Sequence, residues 1–136
     1  MKSGKLEGKS ILIVDDDEDI LTSIDLVLHA EGATTRTAVD GNAAISMCHT
    51  EMPDAVVLDM MLPRASGFLV LEKLRELASP PVVVMVTANQ GKRHMEYART
   101  LGVHAYMTKP LSLARLVSRL AELFGGPATT TSQPKT

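Results

Sequence analysis

The chain has 136 residues, 45% of them apolar and 22% charged, with a formal net charge of −2 and only 3% aromatics. That is enough for one domain with an aliphatic core, and it gives no electrostatic case for nucleic acid or an acidic membrane as partner. A lone cysteine, Cys48, excludes an intrachain disulfide, no apolar run approaches the ~18 residues of a spanning helix, and the basic start lacks the apolar core of a signal peptide, so the expectation is a cytoplasmic domain.

Residues 1–8 are rich in Lys and Gly and are expected to be a flexible extension. Residues 10–14, Ser-Ile-Leu-Ile-Val, make a buried-type strand that runs into the acids Asp15, Asp16, Asp17, Glu18 and Asp19. Ile20, Leu21, Ile24, Val27 and Leu28 then fall at helical spacing over residues 18–31, with Gly32 placed for a left-handed cap. Residues 33–39 read as a strand, and Asp40 caps a helix through His49. Pro53 and Asp54 open a third strand whose four apolar residues, Ala55 to Leu58, end on Asp59. After a loop from Pro63, the spacing predicts a helix over 67–77 with Val70, Leu71, Leu74 and Leu77 on one stripe. Pro80 and Pro81 restart the chain into five apolar residues, 82–86, followed by Thr87, Ala88 and Asn89. A helix over 91–101 has poor periodicity, and a short strand over 103–107 leads into Thr108, Lys109 and Pro110. An amphipathic helix over 112–124 comes last, and residues 125–136 read as a flexible tail or linker.

Five β-α alternations call for an α/β fold: a five-stranded parallel sheet with right-handed crossovers and helices on both faces. In such a sheet all strand carboxyl ends share one edge. That edge collects Asp15, Asp16 and Asp17 from the first strand, Asp59 from the third, Thr87 from the fourth and Lys109 from the fifth. Close carboxylates repel by about 4 kcal/mol per pair at an effective dielectric near 20, so the cluster makes sense around a hard divalent cation, Mg²⁺ or Mn²⁺. An acid pair, a further Asp, a Thr and a Lys are the equipment for moving a phosphoryl group onto a carboxylate, with Asp59 as nucleophile. Asp17 and Asp19 have a simpler role at a helix amino terminus, and Asp54 sits on the opposite edge. The four histidines show no ligand spacing, and Cys48 reads as an inert buried thiol.

The blocks Ile-Val-Asp-Asp at 13–16, Asp-Met-Met-Leu-Pro at 59–63, Val-Thr-Ala at 86–88 and Tyr-Met-Thr-Lys-Pro at 106–110 resemble the signature blocks of CheY-like receiver domains of two-component response regulators. The likeness covers residues 9–124. It implies a flavodoxin-like (βα)5 domain with sheet order 2-1-3-4-5. It also implies Asp59 as phosphoacceptor, charged by a histidine kinase or a phosphotransfer protein. Mg²⁺ would then lie on Asp15, Asp16, Asp59 and the backbone carbonyl of Met61. Lys109, Thr87 and the amides of Met60 and Ala88 would bind the phosphoryl group, Tyr106 would turn with Thr87 as a switch, and the Lys109-Pro110 bond would be cis.

Two places depart from the family pattern. The turn after Pro63 ends in Ala65-Ser66-Gly67, and the acid-rich approach to the last strand is replaced by Val103-His104-Ala105. The second change, with Lys92-Arg93-His94, alters the face of fourth helix, fifth strand and fifth helix, which in the family dimerises or binds targets; a homodimer and a separate target both stay open here. Met61 and Asn89 stand where the family tunes its phosphate lifetime. Two rival functions remain: a receiver-like binding module that works without phosphate, and a magnesium phosphohydrolase of the haloacid dehalogenase type, whose Asp-x-Asp could be Asp15 and Asp17. The latter also needs metal-binding acids after the lysine, and beyond Lys109 the only acid is Glu122. No second domain is legible, so the chain reads either as a stand-alone regulator or as a receiver from a longer protein.

Overall fold

A computed structural model describes residues 4–88 and 91–125. The expected tail over 126–136, residues 1–3 of the expected extension and Asn89 lie outside the described residues. The elements alternate as β1 (Ser10–Val14), α1 (Glu18–Ala30), β2 (Thr34–Ala38), α2 (Gly41–Thr50), β3 (Ala55–Asp59), α3 (Gly67–Arg75), β4 (Val82–Thr87), α4 (Lys92–Thr100), β5 (Ala105–Thr108) and α5 (Leu113–Leu123). All strand pairs are parallel, in the order β2-β1-β3-β4-β5.

The near-continuous apolar runs of β1, β3 and β4 follow from burial on both faces of the sheet. Successive side chains go to opposite layers. Ile11, Ile13, Val57, Val84 and Val86 pack under α1 and α5, against Leu21, Ile24, Leu28, Leu116 and Leu120. Leu12, Val14, Val56, Leu58 and Met85 pack with the α2, α3 and α4 side, against Cys48, Val70, Leu71, Leu74 and Ala98. No helix among the described residues is long and apolar enough to cross a membrane.

Helix starts follow their caps. Asp17, Asp40, Ser66 and Ser112 accept from backbone N–H groups in the first turns of α1, α2, α3 and α5. Helix α4 starts at Gly91 without a side-chain cap and buries only Ala98, which explains its weak periodicity. Gly32 takes φ 94° after α1, the left-handed conformation that a glycine adopts without penalty.

Strand β5 begins at Ala105, two residues later than the sequence predicts. The reason is His104. Its backbone N–H donates to Val83 O at 2.9 Å, while its ring Nδ1 accepts from Val83 N–H at 3.0 Å. The imidazole thus serves as the acceptor for that N–H, and the ladder itself starts one residue on. Burial and the nearby Arg75 guanidinium push this imidazole below its ordinary value, as suits a neutral acceptor.

The expected flexible start is corrected from Gly4 onward. Leu6 is fully buried in the α1–α5 layer, its N–H donates to Glu31 O at 2.9 Å, and Lys5 N–H donates to Glu31 Oε1 at 2.9 Å. One leucine among Lys and Gly is a faint signal in a sequence, yet in space it closes the open end of a helix layer. Leu6→Ala is expected to lower stability by about 2–5 kcal/mol, read as a lower urea midpoint with unchanged slope. A loss under about 0.5 kcal/mol would mean that this segment is ornamental.

Candidate functional site

Because the strands are parallel, their carboxyl ends open onto one edge, and β1 and β3 are direct neighbours there. Asp15 follows β1 and is only 3% exposed, while Asp16 beside it faces solvent. Asp59 is the last residue of β3, 5% exposed, and Thr87 is the last of β4, fully buried. One carboxylate oxygen from each of Asp15, Asp16 and Asp59 lies within 4.8 Å of the other two. Lys109 reaches in from the end of β5, its Nζ 2.9 Å from Asp15 Oδ2 and 3.6 Å from Asp59 Oδ2.

Each of these groups is held by its local backbone. Asp15 Oδ1 accepts from Asp17 N–H at 2.9 Å. Asp17 directs its own oxygen to the N–H groups of Asp19 and Ile20, so it belongs to the α1 cap and not to the cluster. Asp59 Oδ1 accepts from Met61 N–H at 3.3 Å. The loop that follows must fold back tightly: Gly67 N–H donates to Met60 O at 2.8 Å, and a Cβ at Gly67 would stand 2.4 Å from Asp59 O. Only glycine fits there without moving the backbone of the central aspartate. Lys109 is set by its own N–H, which donates to Thr87 O at 2.9 Å, and by a cis Lys109-Pro110 peptide bond.

The electrostatics are unbalanced. Three carboxylates face one ammonium, and each close acid pair costs about 4 kcal/mol at an effective dielectric near 20. Burial first, and the Asp15 charge second, push the Asp59 carboxyl from 3.8 up to about 6, although Lys109 and the Met61 amide pull the other way. For Lys109, burial works toward a lower value, but the Asp15 hydrogen bond and the Asp59 and Asp15 charges outweigh it, so the ammonium is held above its ordinary range. Three hard oxygen donors around one point, short of positive charge, suit a divalent cation of the Mg²⁺ or Mn²⁺ type better than a soft metal.

The remaining predicted residues sit around this cluster at different distances. Met60 is buried beneath it, Met61 is 63% exposed at its rim, and Ala88 is exposed just beyond Thr87. Tyr106 lies back along β5, opposite Met85 and half-buried against the α2–α4 layer, so it adjoins the site through the sheet and not through the cluster. Sequence reading missed a second feature, a groove beside Tyr106 lined by Arg99, Arg115 and Arg119. Its one legible signal is the four-residue spacing of Arg115 and Arg119, which puts both on one face of α5.

Comparison with known proteins agrees with this fold. A family model described as response regulator receiver domain matches residues 11–121. The alkaline phosphatase synthesis transcriptional regulatory protein PhoP of Bacillus subtilis is 38% identical over 113 residues, 83% of this chain and 47% of that protein. The probable transcriptional regulatory protein TcrX of Mycobacterium tuberculosis is 37% identical over 122 residues, 90% of this chain and 52% of that protein. The chain thus spans about half the length of these curated relatives. Among solved structures, a CheY-like response regulator receiver domain protein from Methanospirillum hungatei superposes with a TM-score of 0.81 at 30% identity, covering 85% of this chain and 92% of that one. The CheX–CheY–BeF3–Mg complex of Borrelia burgdorferi gives a TM-score of 0.80 at 26% identity, covering 87% and 90%.

The raised Asp59 carboxyl has a measurable consequence. With its folded value near 6 and its ordinary value 3.8, the folded chain holds this proton more tightly than the unfolded chain does. Its contribution to stability is therefore complete below ~4 and is lost as pH rises through ~6, a difference of about 3 kcal/mol at most. In chelator, Asp59→Asn is expected to match the wild type near pH ~4 and to exceed it by about 1–3 kcal/mol at pH ~7.5. Urea titrations at both pH values check this. A pH-independent difference between the two proteins would contradict the crowded-carboxylate account.

Proposed function

The chain belongs to the response regulator receiver domain family, and from that membership and the pocket we propose that it is a phosphoacceptor switch in which Asp59 takes a phosphoryl group from a histidine kinase or phosphotransfer protein. The observation that carries this reading is the meeting of three carboxylates and Lys109, from three separate strand ends, within hydrogen-bonding and ion-pairing reach. Asp15, Asp16, Asp59 and the Met61 carbonyl would hold Mg²⁺, with Mn²⁺ as a substitute. When bound, the ion supplies positive charge to the oxygens of the transferring phosphoryl group. The cytoplasm is where such a donor and millimolar Mg²⁺ coincide.

In this reading a carboxylate oxygen of Asp59 attacks phosphorus in line with the leaving group. The new bond is O–P, and the bond that breaks is the P–N of a phosphohistidine or the P–O of acetyl phosphate. The leaving nitrogen or carboxylate departs with the bonding pair. A carboxyl near 6 is mostly ionised at neutral pH, so the nucleophile is present in its reactive form, and its burial keeps bulk water from competing. Lys109, the Thr87 hydroxyl and the amides of Met60 and Ala88 are the groups assigned to the phosphoryl oxygens. Thr87 and Lys109 share a backbone hydrogen bond, and Thr87 pairs in register with Thr108, so a shift of the Thr87 side chain acts directly on β5 and Tyr106. The surface of α4, β5 and α5 is the output.

Receiver domains signal and are not classical enzymes, and this chain fits that description better than the hydrolase alternative. A haloacid dehalogenase needs its second aspartate in the pocket, whereas Asp17 is turned to the N–H groups of α1. The meeting of the three acids with Lys109, and Thr87 at the neighbouring strand end, supports the phosphoacceptor reading over a phosphate-independent module.

Incubation with acetyl phosphate and Mg²⁺ is expected to give an acyl phosphate detectable by intact mass and absent in Asp59→Ala. Lys109→Ala is expected to slow its formation at least about tenfold, the loss of one preorganised positive charge. Mg²⁺ at ten times its Kd is expected to add about 1.4 kcal/mol of stability, and much less in Asp59→Asn. An adduct on another residue, or one that survives Asp59→Ala, would overturn the assignment.

A further inference from the structure

The loop from β3 to α3 turns sharply between Pro63 and Ala65. Among the described residues Arg64 is the only non-glycine with a positive φ, at 68°, and Ala65 N–H folds back to donate to Pro63 O at 2.8 Å. A left-handed conformation is unfavourable for a long L side chain, so contacts outside the turn have to hold it. The first turn of α2 supplies them. Arg64 Nε pairs with Asp40 Oδ2 at 3.6 Å, while Oδ1 of the same carboxylate caps α2 by accepting from Ala43 N–H at 2.8 Å. Asp40 is thus fixed by the helix it caps, and Arg64 is drawn to a fixed point. Gly41 N–H donates to Pro63 O at 3.4 Å, and a Cβ on Gly41 would collide with Ala65 O. The near end of this loop carries the acid pocket: Met61 N–H donates to Asp59 Oδ1 at 3.3 Å, and Gly67 N–H closes the loop onto Met60 O at 2.8 Å.

We propose that Arg64 is a positioning residue for the Mg²⁺ site: its pairing with Asp40 holds the Pro63–Ala65 turn against α2 and so keeps the Met61 backbone ready for the ion. This rests on the phosphoacceptor reading, in which Asp59 and the Met61 carbonyl hold Mg²⁺. The Arg64 side chain is 63% exposed, and an exposed ion pair adds little to global stability. The penalty of one left-handed residue is of the same small order, so the pair is sufficient to decide the conformation of the turn. A direct electrostatic role for Arg64 has the opposite sign. A cation near an acid pocket repels Mg²⁺, so removing it would tighten binding. Losing a positioning contact weakens binding instead, because fewer chains have the loop in its competent arrangement.

Mg²⁺ titrations of the full chain, followed by the backbone amide shifts of Asp15, Asp59 and Met61, test this without any phosphoryl donor. Arg64→Ala keeps the left-handed penalty and loses the ion pair, and its Kd for Mg²⁺ is expected to rise about threefold. Arg64→Lys keeps the charge, and Arg64→Asn tolerates the left-handed turn without it, so both are expected to bind Mg²⁺ close to the wild type. Gly41→Ala pushes the turn off α2 by contact and is expected to weaken Mg²⁺ about tenfold. Urea midpoints in chelator should differ little among the Arg64 variants, whereas a merely structural role would lower the midpoint and leave the Kd unchanged. Unchanged or tighter Mg²⁺ binding in Arg64→Ala, or failure of Arg64→Asn to recover it, overturns the positioning role. The wild type separates the two claims: if its Asp15 and Asp59 amides do not respond to Mg²⁺, the acid-pocket reading falls and this proposal with it. A normal wild-type response that Arg64→Ala shares in full overturns the positioning role alone.

Discussion

Three carboxylates held against one another at the edge of a parallel sheet are the constraint on which the rest of this molecule depends. Asp15, Asp16 and Asp59 come within 4.8 Å, and Lys109 offsets their repulsion only in part. Such an arrangement is unfavourable in isolation, and it persists because the sheet beneath it is packed on both faces. The fully buried runs of β1 and β3 fix the aspartates from below, and Gly67 lets the loop close behind Asp59. The core supplies the stability that the acid cluster costs, which is the usual relation between scaffold and reactive site.

Rigidity is distributed unevenly. The β1–β3–β4 centre is buried nearly throughout, whereas β5 is short and half-buried and α4 buries only Ala98. Helix α4 is tied to α3 by aromatic contacts, with Phe68 edge-on to Tyr97 at 4.9 Å and Tyr97 Oη donating to Glu72 at 3.0 Å. Elements with few buried contacts open and shift at lower free energy than a core does. A change at Thr87 or Lys109 therefore meets stiff neighbours on the β3 side and yielding ones on the β5 side. Direction of response follows from packing, without a dedicated pathway.

Much of this was legible in the residues. Apolar runs ending in Asp15, Asp59 and Thr87 announced a parallel sheet, and parallel topology brings strand ends together whatever their separation in sequence. Asp54 was separable from Asp59 because it begins a strand, and it accepts from Ser10 N–H at 2.8 Å on the far edge. What stayed hidden was whatever depends on one side chain in a non-repeating environment. Leu6 looked like part of a Lys-rich extension, since burial by a single contact leaves no periodicity. His104 shortened β5 by acting as a backbone substitute, and no spacing rule records that an imidazole accepts from a strand N–H. Arg99 and Arg115 belong to different helices, and only the crossover over β5 makes them walls of one groove.

A net charge of −2 also concealed how charge is arranged. Fourteen basic and sixteen acidic residues nearly cancel over the chain, yet the cancellation is not local. The strand-end pocket holds three acids and one lysine, while the α4–α5 groove holds three arginines and one paired acid. Strand β5 lies in the floor of the groove and leads straight into Lys109 of the pocket. A phosphoryl group taken up as proposed would deepen the negative pole, and a cation bound in the same pocket would moderate it. Exposed charges more than about 10 Å apart are largely screened by salt, whereas β5 joins the two regions through its backbone. A mechanical link between them would run along β5, the shortest strand of the sheet, and the side chains that bracket it.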